Sequence, residues 1–170
     1  LAFKNTQDLF YLDICREIFE CCERDFKNSE GLWCAGWDAD SEGEEGQFYI
    51  WTYEEIENIL AKNEFKKEEI SRFLKLYGVE KQGNWESKNI LHLRLETPWD
   101  TTRQSPHLEI RQCLLENRSK KVTPARDPKM IVAWNGYFIS SLMKASLNVF
   151  DSEPELAREF YNSAINGLQN

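Results

Sequence analysis

Five carboxylates lie within eight positions of the stretch GWDADSEGEEG, residues 36–46: Asp38, Asp40, Glu42, Glu44 and Glu45. Carboxylates at this density can bind a divalent cation, exchange protons with a substrate, or accept backbone amides in a turn. The apolar runs LWCAGW and QFYIW flank the stretch and are predicted to be strands, with an acidic loop between them. The stretch is therefore the first candidate for a functional site.

The acidic loop matches only half of an EF-hand calcium site. An EF-hand places oxygen ligands at the first, third and fifth positions of its loop, Gly at the sixth and a bidentate Glu at the twelfth. Asp38, Asp40 and Glu42 fit the first half together with Gly43, but Tyr49 occupies the twelfth position, which argues against an EF-hand. A looser divalent site on the three acidic side chains stays open, and no resident metal or cofactor is predicted.

The same carboxylates could instead perform acid–base chemistry. Two carboxylates act as acid and base on a glycosidic bond when their surroundings separate their pKa values, and Asp38 and Asp40 are the candidates for these roles. Trp37 and Trp51 could stack on sugar rings, and Glu42 would contact the same substrate. The alternative is a turn in which the acidic side chains accept backbone amides. An ordinary turn has no need of neighbouring tryptophans, so a pocket-lining role is favoured.

A second candidate lies in the apolar run MIVAWNGYFISSLMKASLNVF, residues 130–150. The run is apolar on nearly all sides, which predicts a helix enclosed by other helices. Asn135 would be a buried polar group in need of partners, and Gly136 would weaken the helix unless a neighbour comes close. Trp134 and Asn135 are therefore predicted to line a cavity, where Asn135 would bind a substrate hydroxyl. A structural Asn that bridges two helices is the alternative.

The remaining pattern is predominantly helical. Apolar residues at steps of three and four predict a helix over residues 6–27. Capping signals and Pro at the first helical position mark further helix starts at Thr52, Ser105, Asp127 and Ser152, and apolar spacing predicts another helix from about Glu68. The order of elements predicts a mainly α fold, part of an (α/α) toroid of helical hairpins with a small β-hairpin insertion.

The composition argues against two classes of partner. The net charge is −8, and the only basic patch is the short run Arg118-Ser119-Lys120-Lys121, which is interpreted as a solvated helix end. Nucleic acid is therefore not an expected partner. A membrane is not expected either, because no apolar stretch approaches the ~20 residues of a membrane span.

The cysteines and histidines show no metal-site spacing. The five cysteines include no CxxC pair, which argues against a disulfide framework and a zinc ribbon. Cys15 and Cys22 fall at apolar helix positions and are predicted to be buried, reduced thiols, which favours a cytoplasmic location. His107 is predicted to be solvated in the first turn of a helix. With His92 as the second of two histidines, a histidine metal site is not expected.

Three motifs together resemble the signature of one protein family. They are WDADSEGEEGQFYIWTYEEI, GNWESKNILH and RDPKMIVAWNGYFISSLMKAS, in this order along the chain. The family comprises thioredoxin-domain proteins, with a mammalian spermatogenesis-associated member and bacterial relatives. In them an N-terminal thioredoxin-like domain precedes a large all-helical toroid, whose architecture is similar to that of six-hairpin glycosidases and sugar 2-epimerases.

The resemblance implies that residues 1–170 are a single fragment of such a toroid, with the thioredoxin-like domain upstream of it. Cys34 and Trp37 depart from the family pattern, which more commonly has Tyr or Ser, and Glu, at these positions. Three functions follow as hypotheses. The chain could be a binding scaffold for a small-molecule or carbohydrate ligand. It could be a hydrolase- or epimerase-like carbohydrate-active enzyme that uses Asp38 and Asp40, or it could position a redox client for its own thioredoxin-like domain.

Overall fold

The computed structural model describes all 170 residues and divides them into two units, which are Leu1–Trp37 with Arg126–Asn170, and Asp38–Ala125. The elements, numbered in chain order, are α1 (Ala2–Thr6), α2 (Leu9–Cys21), a π-helical turn (Cys22–Phe26), β1 (Gly36–Trp37), β2 (Asp40–Ser41), β3 (Glu44–Glu45), α3 (Tyr53–Lys62), α4 (Lys67–Leu76), α5 (Trp99–Thr102), α6 (His107–Arg118), β4 (Arg126–Asp127), α7 (Val132–Val149) and α8 (Pro154–Gln169). The predicted mainly α fold is confirmed. None of the helices combines the length and apolar character that a membrane crossing requires.

The core of the first unit is built on the helical hairpin α7–α8. Only four residues, Phe150–Glu153, join the two helices, so they run antiparallel. Phe19 of α2 packs edge-on against Phe160 of α8, with ring centroids 4.9 Å apart. The other buried apolar side chains of this core include Leu12, Trp33, Ile139, Leu142, Val149, Leu156 and Ala164.

A polar network joins the π-helical turn after α2, and Lys27 that follows it, to α8. The helix predicted over roughly residues 6–27 is confirmed from Leu9 to Phe26, as α2 and the π-helical turn that continues it, whereas Thr6 belongs to α1. The hydroxyl of Ser163 donates to Glu23 Oε1 at 2.7 Å, and Lys27 Nζ donates to Glu23 Oε2 at 2.8 Å and to the Ser163 hydroxyl at 3.0 Å. The ammonium of Lys27 also lies 5.1 Å from the centroid of the Trp33 ring. These groups satisfy one another, which is the condition for burying polar side chains at low cost.

The β structure differs from the prediction. LWCAGW does not pair with QFYIW, because Gly36 and Trp37 of β1 pair with Asp127 and Arg126 of β4. The short hairpin lies inside the acidic stretch itself, where β2 pairs with β3. Within QFYIW, residues 47–49 form turns, and Trp51 makes an isolated bridge to Asn89.

The core of the second unit lies between α3, α4 and α6. Its fully buried side chains are Ile56, Leu60, Phe73 and Ile110. The predicted capping box at the start of α3 is confirmed, since the Thr52 amide donates to Glu55 Oε2 at 2.6 Å and the Glu55 amide donates to Thr52 Oγ1 at 3.0 Å. Two orphan amides of the first turn thereby gain acceptors.

Three other predicted helix caps are wrong. α6 begins at His107 with no side-chain cap from Ser105. α7 begins at Val132 rather than near Pro128, because Asp127 is part of β4 and its Oδ1 accepts the Lys129 amide at 3.1 Å. α8 does begin at Pro154, but the hydroxyl of Ser152 donates to the Val149 carbonyl at 3.1 Å instead of capping the new helix. In the last two cases the side chain that was expected to cap the helix makes its hydrogen bond to a backbone group outside that helix.

Two side-chain environments also differ from the prediction. Cys15 is exposed rather than buried. Cys22 is half-buried, and this burial, together with nearby Cys21 and Glu23, raises the pKa of its thiol to about 11. His107 is buried rather than solvated, with 3% of its surface exposed. Burial, and then the charge of Arg72, lower the pKa of His107, and Glu109 opposes this shift.

The helix α7 is not enclosed by the rest of this chain. One side of it faces the core through Asn135, Ile139, Leu142, Ser146 and Val149. Large apolar side chains elsewhere on the helix and at its C-cap are exposed, with Val132 86% exposed, Tyr137 75%, Leu147 79% and Phe150 63%. We refer to these four residues as the outer face of α7. The expectation of an enclosed helix is therefore wrong for the 170-residue chain.

Candidate functional site

The acidic stretch forms a tight β-hairpin. Its strands, Asp40–Ser41 and Glu44–Glu45, are joined by Glu42 and Gly43, with φ of 56° and 82°. Two consecutive left-handed residues are the signature of a type I′ turn, whose twist matches that of the flanking strands, and Gly at the second position adopts this conformation without strain. The hairpin therefore holds its carboxylates on a short, defined backbone.

Asp38 and Asp40 lie at the base of this hairpin, and both are exposed. The amide of Asp38 donates to the Ala125 carbonyl at 2.7 Å, and its Oδ1 accepts the amide of Asp40 at 3.2 Å. This contact is the local side-chain-to-amide bond that the turn alternative describes. The acid–base roles proposed for the two carboxylates stay predictions.

Ser41 anchors the hairpin to the segment that follows α6. Its side chain is buried, with 4% exposure, and its hydroxyl donates to the Val122 carbonyl at 2.6 Å. The amide of Gly46 donates to the Ala39 carbonyl at 2.9 Å and closes the base of the hairpin. Sequence analysis missed Ser41, because its role depends on a partner 81 residues away.

The indole of Trp51 is buried beneath a lysine. Trp51 is 3% exposed, and its backbone exchanges hydrogen bonds with Asn89 in both directions, at 3.0 and 2.7 Å. The ammonium of Lys121 lies 3.7 Å from the centroid of the Trp51 ring and donates to the Ile50 carbonyl at 2.7 Å. A sugar ring could stack on this face of Trp51 only after Lys121 moved.

Asn135 uses its carboxamide within the first unit. Its Oδ1 accepts the Trp33 amide at 2.8 Å, and its Nδ2 donates to the Trp33 carbonyl at 2.9 Å and to the Ile131 carbonyl at 3.3 Å. Asn135 thus ties the start of α7 to the segment that leads into β1. This arrangement corresponds most closely to the structural alternative, although the Asn bridges a helix and an extended segment rather than two helices.

The other two predicted aromatic contacts have different environments. The indole N–H of Trp37 donates to the Asp25 carbonyl at 2.9 Å, and its ring lies 6.3 Å from that of Phe26. Trp134 is 56% exposed on the first turn of α7. Of these two tryptophans, the more exposed ring belongs to Trp134.

The predicted site residues divide between the two units. Asp38, Asp40, Glu42 and Trp51 belong to the second unit, and Trp37, Trp134 and Asn135 belong to the first. No group of three or more His, Cys, Asp or Glu side chains is arranged to hold a metal ion. The substrate-binding roles of the predicted site residues stay predictions.

The basic run at the end of α6, residues 118–121, is not the solvated helix end that the sequence predicted. Lys121 is half-buried on Trp51, and the guanidinium carbon of Arg118 lies 5.2 Å from the ring centroids of both Phe48 and Tyr49. Lys120 alone matches the expectation, since it is exposed and donates to Asn117 Oδ1 at 3.3 Å. The signal that could have revealed this cluster is the pairing of a cationic run with the aromatic run QFYIW.

Comparisons with known proteins connect the chain to a larger relative. No protein-family model matches it. It is similar to spermatogenesis-associated protein 20 of Mus musculus, at 28% identity over 167 residues, and to that of Homo sapiens, at 27% over 167 residues. Each alignment covers 82% of this chain and 21% of the relative, so the chain spans about a fifth of the length of the curated relatives it matches. The Rattus norvegicus protein gives 26% identity over 172 residues, covering 85% of this chain and 22% of the relative.

Proposed function

We propose that this chain is a non-catalytic helical scaffold segment of a larger protein similar to spermatogenesis-associated protein 20, in which further helices cover the outer face of α7. The similarity to relatives about five times longer supports the larger context. The helical hairpin α7–α8 supports the architecture, because hairpins of this kind stack into toroids and solenoids.

The outer face of α7 is the observation that carries the proposal. Burial of a side chain such as Leu147 or Val132 against a neighbour is worth about 1.5–3 kcal/mol relative to exposure. Gly136 and Ser140 follow Val132 at the fourth and eighth positions, on the same side of the helix. A Cβ added at Gly136 would meet nothing within 4 Å, so this side is open to the close approach of another helix.

The acidic hairpin would be a contact surface of this scaffold, for a small-molecule or carbohydrate ligand or for a client of its own thioredoxin-like domain. Asp38 already accepts the amide of Asp40, which supports a structural role over the acid–base alternative. That alternative is a glycoside hydrolase- or epimerase-like activity through Asp38 and Asp40. The five free cysteines support a cytoplasmic location for the proposed scaffold.

The experiment is a matched pair of charge insertions in the 170-residue chain. Leu147→Lys places a cation on the outer face of α7, and Asn162→Lys places one at an exposed polar position of α8. We expect the unsubstituted chain to self-associate and to bind an apolar dye, because its apolar face is uncovered. Leu147→Lys should reduce both signals, and Asn162→Lys should leave them unchanged. A chain that stays monomeric and dye-free at high concentration would contradict the proposal.

A further inference from the structure

Two cations of the second unit rest on the aromatic run that follows the acidic hairpin. Arg118 lies against Phe48 and Tyr49, at 5.2 Å from each ring centroid, and Lys121 lies 3.7 Å above Trp51. Phe48 and Trp51 are buried beneath the cations, whereas Tyr49 is 47% exposed. We refer to these five residues as the cation–aromatic cluster.

The guanidinium of Arg118 has donors without acceptors. Its Nε is buried and has no hydrogen-bond partner. A buried N–H that has left water without gaining an acceptor costs about 1–3 kcal/mol, and more when the group is charged. Arg118 and Lys121 make no ion pair, in contrast to cations such as Arg16, Arg24, Lys27 and Lys129, which contact acidic side chains. The aromatic contacts therefore leave the donors of Arg118 available.

A third cation adds to the same local field. Burial is the largest cause of the lowered pKa of Lys121, and the positive charges of Lys88 and Arg118 lower it further. Glu55 opposes this shift, and its effect on Lys121 is larger than that of either Lys88 or Arg118. Like charges that converge in a half-buried site repel one another, and an anion bound among them would relieve that repulsion.

Helix electrostatics explain only part of this arrangement. A cation in the last turn of α6 complements the helix dipole, which accounts for the position of Arg118. Lys121 lies beyond the end of the helix, however, and the dipole provides no acceptor for the buried Nε of Arg118. Lys120 provides the contrast, because it is exposed to solvent at the end of the helix and contacts Asn117.

We propose that Arg118 and Lys121 bind an oxyanion, the phosphate or carboxylate group of a small ligand, beside the exposed ring of Tyr49, and that Lys88 adds positive charge to the same region. A guanidinium offers a planar fork of donors that fits either group, and an ammonium adds a point charge. The site lies within the second unit and does not depend on the outer face of α7 or on the scaffold function.

The test is a titration of the 170-residue chain with inorganic phosphate, and separately with acetate, followed by NMR at the Nε–H of Arg118 and the indole N–H of Trp51. Sodium chloride at matched ionic strength is the reference. We expect a saturable shift of both signals with at least one oxyanion. Arg118→Gln and Lys121→Met should each weaken this binding by about tenfold, whereas Lys120→Met should leave it unchanged.

Arg118→Gln also removes a group that packs on two aromatic rings, so its fold must be checked by thermal unfolding. Lys88→Gln provides a second variant, because Lys88 contributes charge without lying on the aromatic rings, and it should also weaken binding. Shifts that do not saturate, or that sodium chloride reproduces, would overturn the proposal. Unchanged affinity in Lys121→Met and Lys88→Gln would overturn it as well.

Discussion

The carboxamide of Asn135 pairs with both backbone polar groups of Trp33, accepting from its N–H at 2.8 Å and donating to its C=O at 2.9 Å. A side chain here completes hydrogen bonds that a neighbouring strand would otherwise supply. Trp33 is 6% exposed, and its ring packs edge-on against Phe138 with centroids 4.7 Å apart. The pairing therefore fixes an aromatic side chain in the core of the first unit.

Asn135→Ala should destabilise the chain strongly. It leaves the buried N–H and C=O of Trp33 without partners, and we expect a loss of about 2–4 kcal/mol in the free energy of unfolding, measured by urea denaturation. Asn148→Ala is the matched control on the same helix, because Asn148 Nδ2 only donates to the Lys144 carbonyl of the preceding turn. That control should change the stability by no more than about 0.5 kcal/mol. Equal effects of the two substitutions would contradict a structural role for Asn135.

His107 should make the stability depend on pH. Its pKa in the folded chain is lowered from 6.5 by burial and by Arg72, so the unfolded chain binds the proton more readily. The contribution of His107 to the free energy of unfolding is complete above its unfolded pKa. It is lost as the pH falls through that value towards the folded pKa. We therefore expect the free energy of unfolding to fall between about pH 7.5 and pH 5.5, and to fall less in His107→Phe.

His92 provides the control for this pH dependence, because it is the other of the two histidines. His92→Gln should keep the steeper decline of the unsubstituted chain. Chemical denaturation at a series of pH values measures both. If His107→Phe and the unsubstituted chain declined in parallel, the buried imidazole would not be the titrating group.

Two glycine substitutions should have opposite signs. Gly136→Ala should stabilise the 170-residue chain by about 0.5–1 kcal/mol, because Ala is the better helix former and its Cβ would meet nothing within 4 Å. Gly78 has φ of +62°, and a Cβ there would overlap the ring of His92. Gly78→Ala should therefore destabilise by about 1–3 kcal/mol. Thermal unfolding distinguishes the two, and a destabilising Gly136→Ala would mean that α7 already packs closely at this position.

The elements that the sequence predicted correctly are those specified by local physics. The capping box of Thr52 and Glu55 is contained in four consecutive residues, and its two hydrogen bonds form as expected. Most of the helix predicted over residues 6–27 follows from apolar spacing alone and is present from Leu9 to Phe26. In both cases no distant partner competes for the groups involved.

The incorrect predictions concern groups whose partners are distant in the sequence. Gly36 and Trp37 pair with a strand 89 to 91 residues further on, so the neighbouring run QFYIW was the wrong partner. Lys121 meets the Ile50 carbonyl 71 residues away, which no local pattern indicates. The sequence did show that α7 is apolar on nearly all sides, but it could not show that this chain leaves part of that surface exposed.

Substitutions of Asp38 and Asp40 in the acidic hairpin distinguish the scaffold function from the alternative enzyme function. Asp38 Oδ1 accepts the Asp40 amide at 3.2 Å, and an Asn carbonyl oxygen can accept the same bond. Asp38→Asn should therefore keep the stability, and Asp38→Ala should lower the free energy of unfolding by about 0.5–1.5 kcal/mol. Asp40→Asn should be nearly neutral, because its side chain is exposed.

The same variants test catalysis. If the chain is a scaffold, the unsubstituted protein should show no turnover on a panel of aryl glycosides and no epimerisation of free sugars. If instead Asp38 and Asp40 are the acid and the base, both Asn variants should remain folded while turnover falls by at least about 10²-fold, since general acid–base catalysis is worth that much. Turnover that is present in the unsubstituted chain and lost in both variants would overturn the scaffold proposal. Turnover that survives both substitutions would also contradict the scaffold proposal, and it would place the chemistry away from the hairpin.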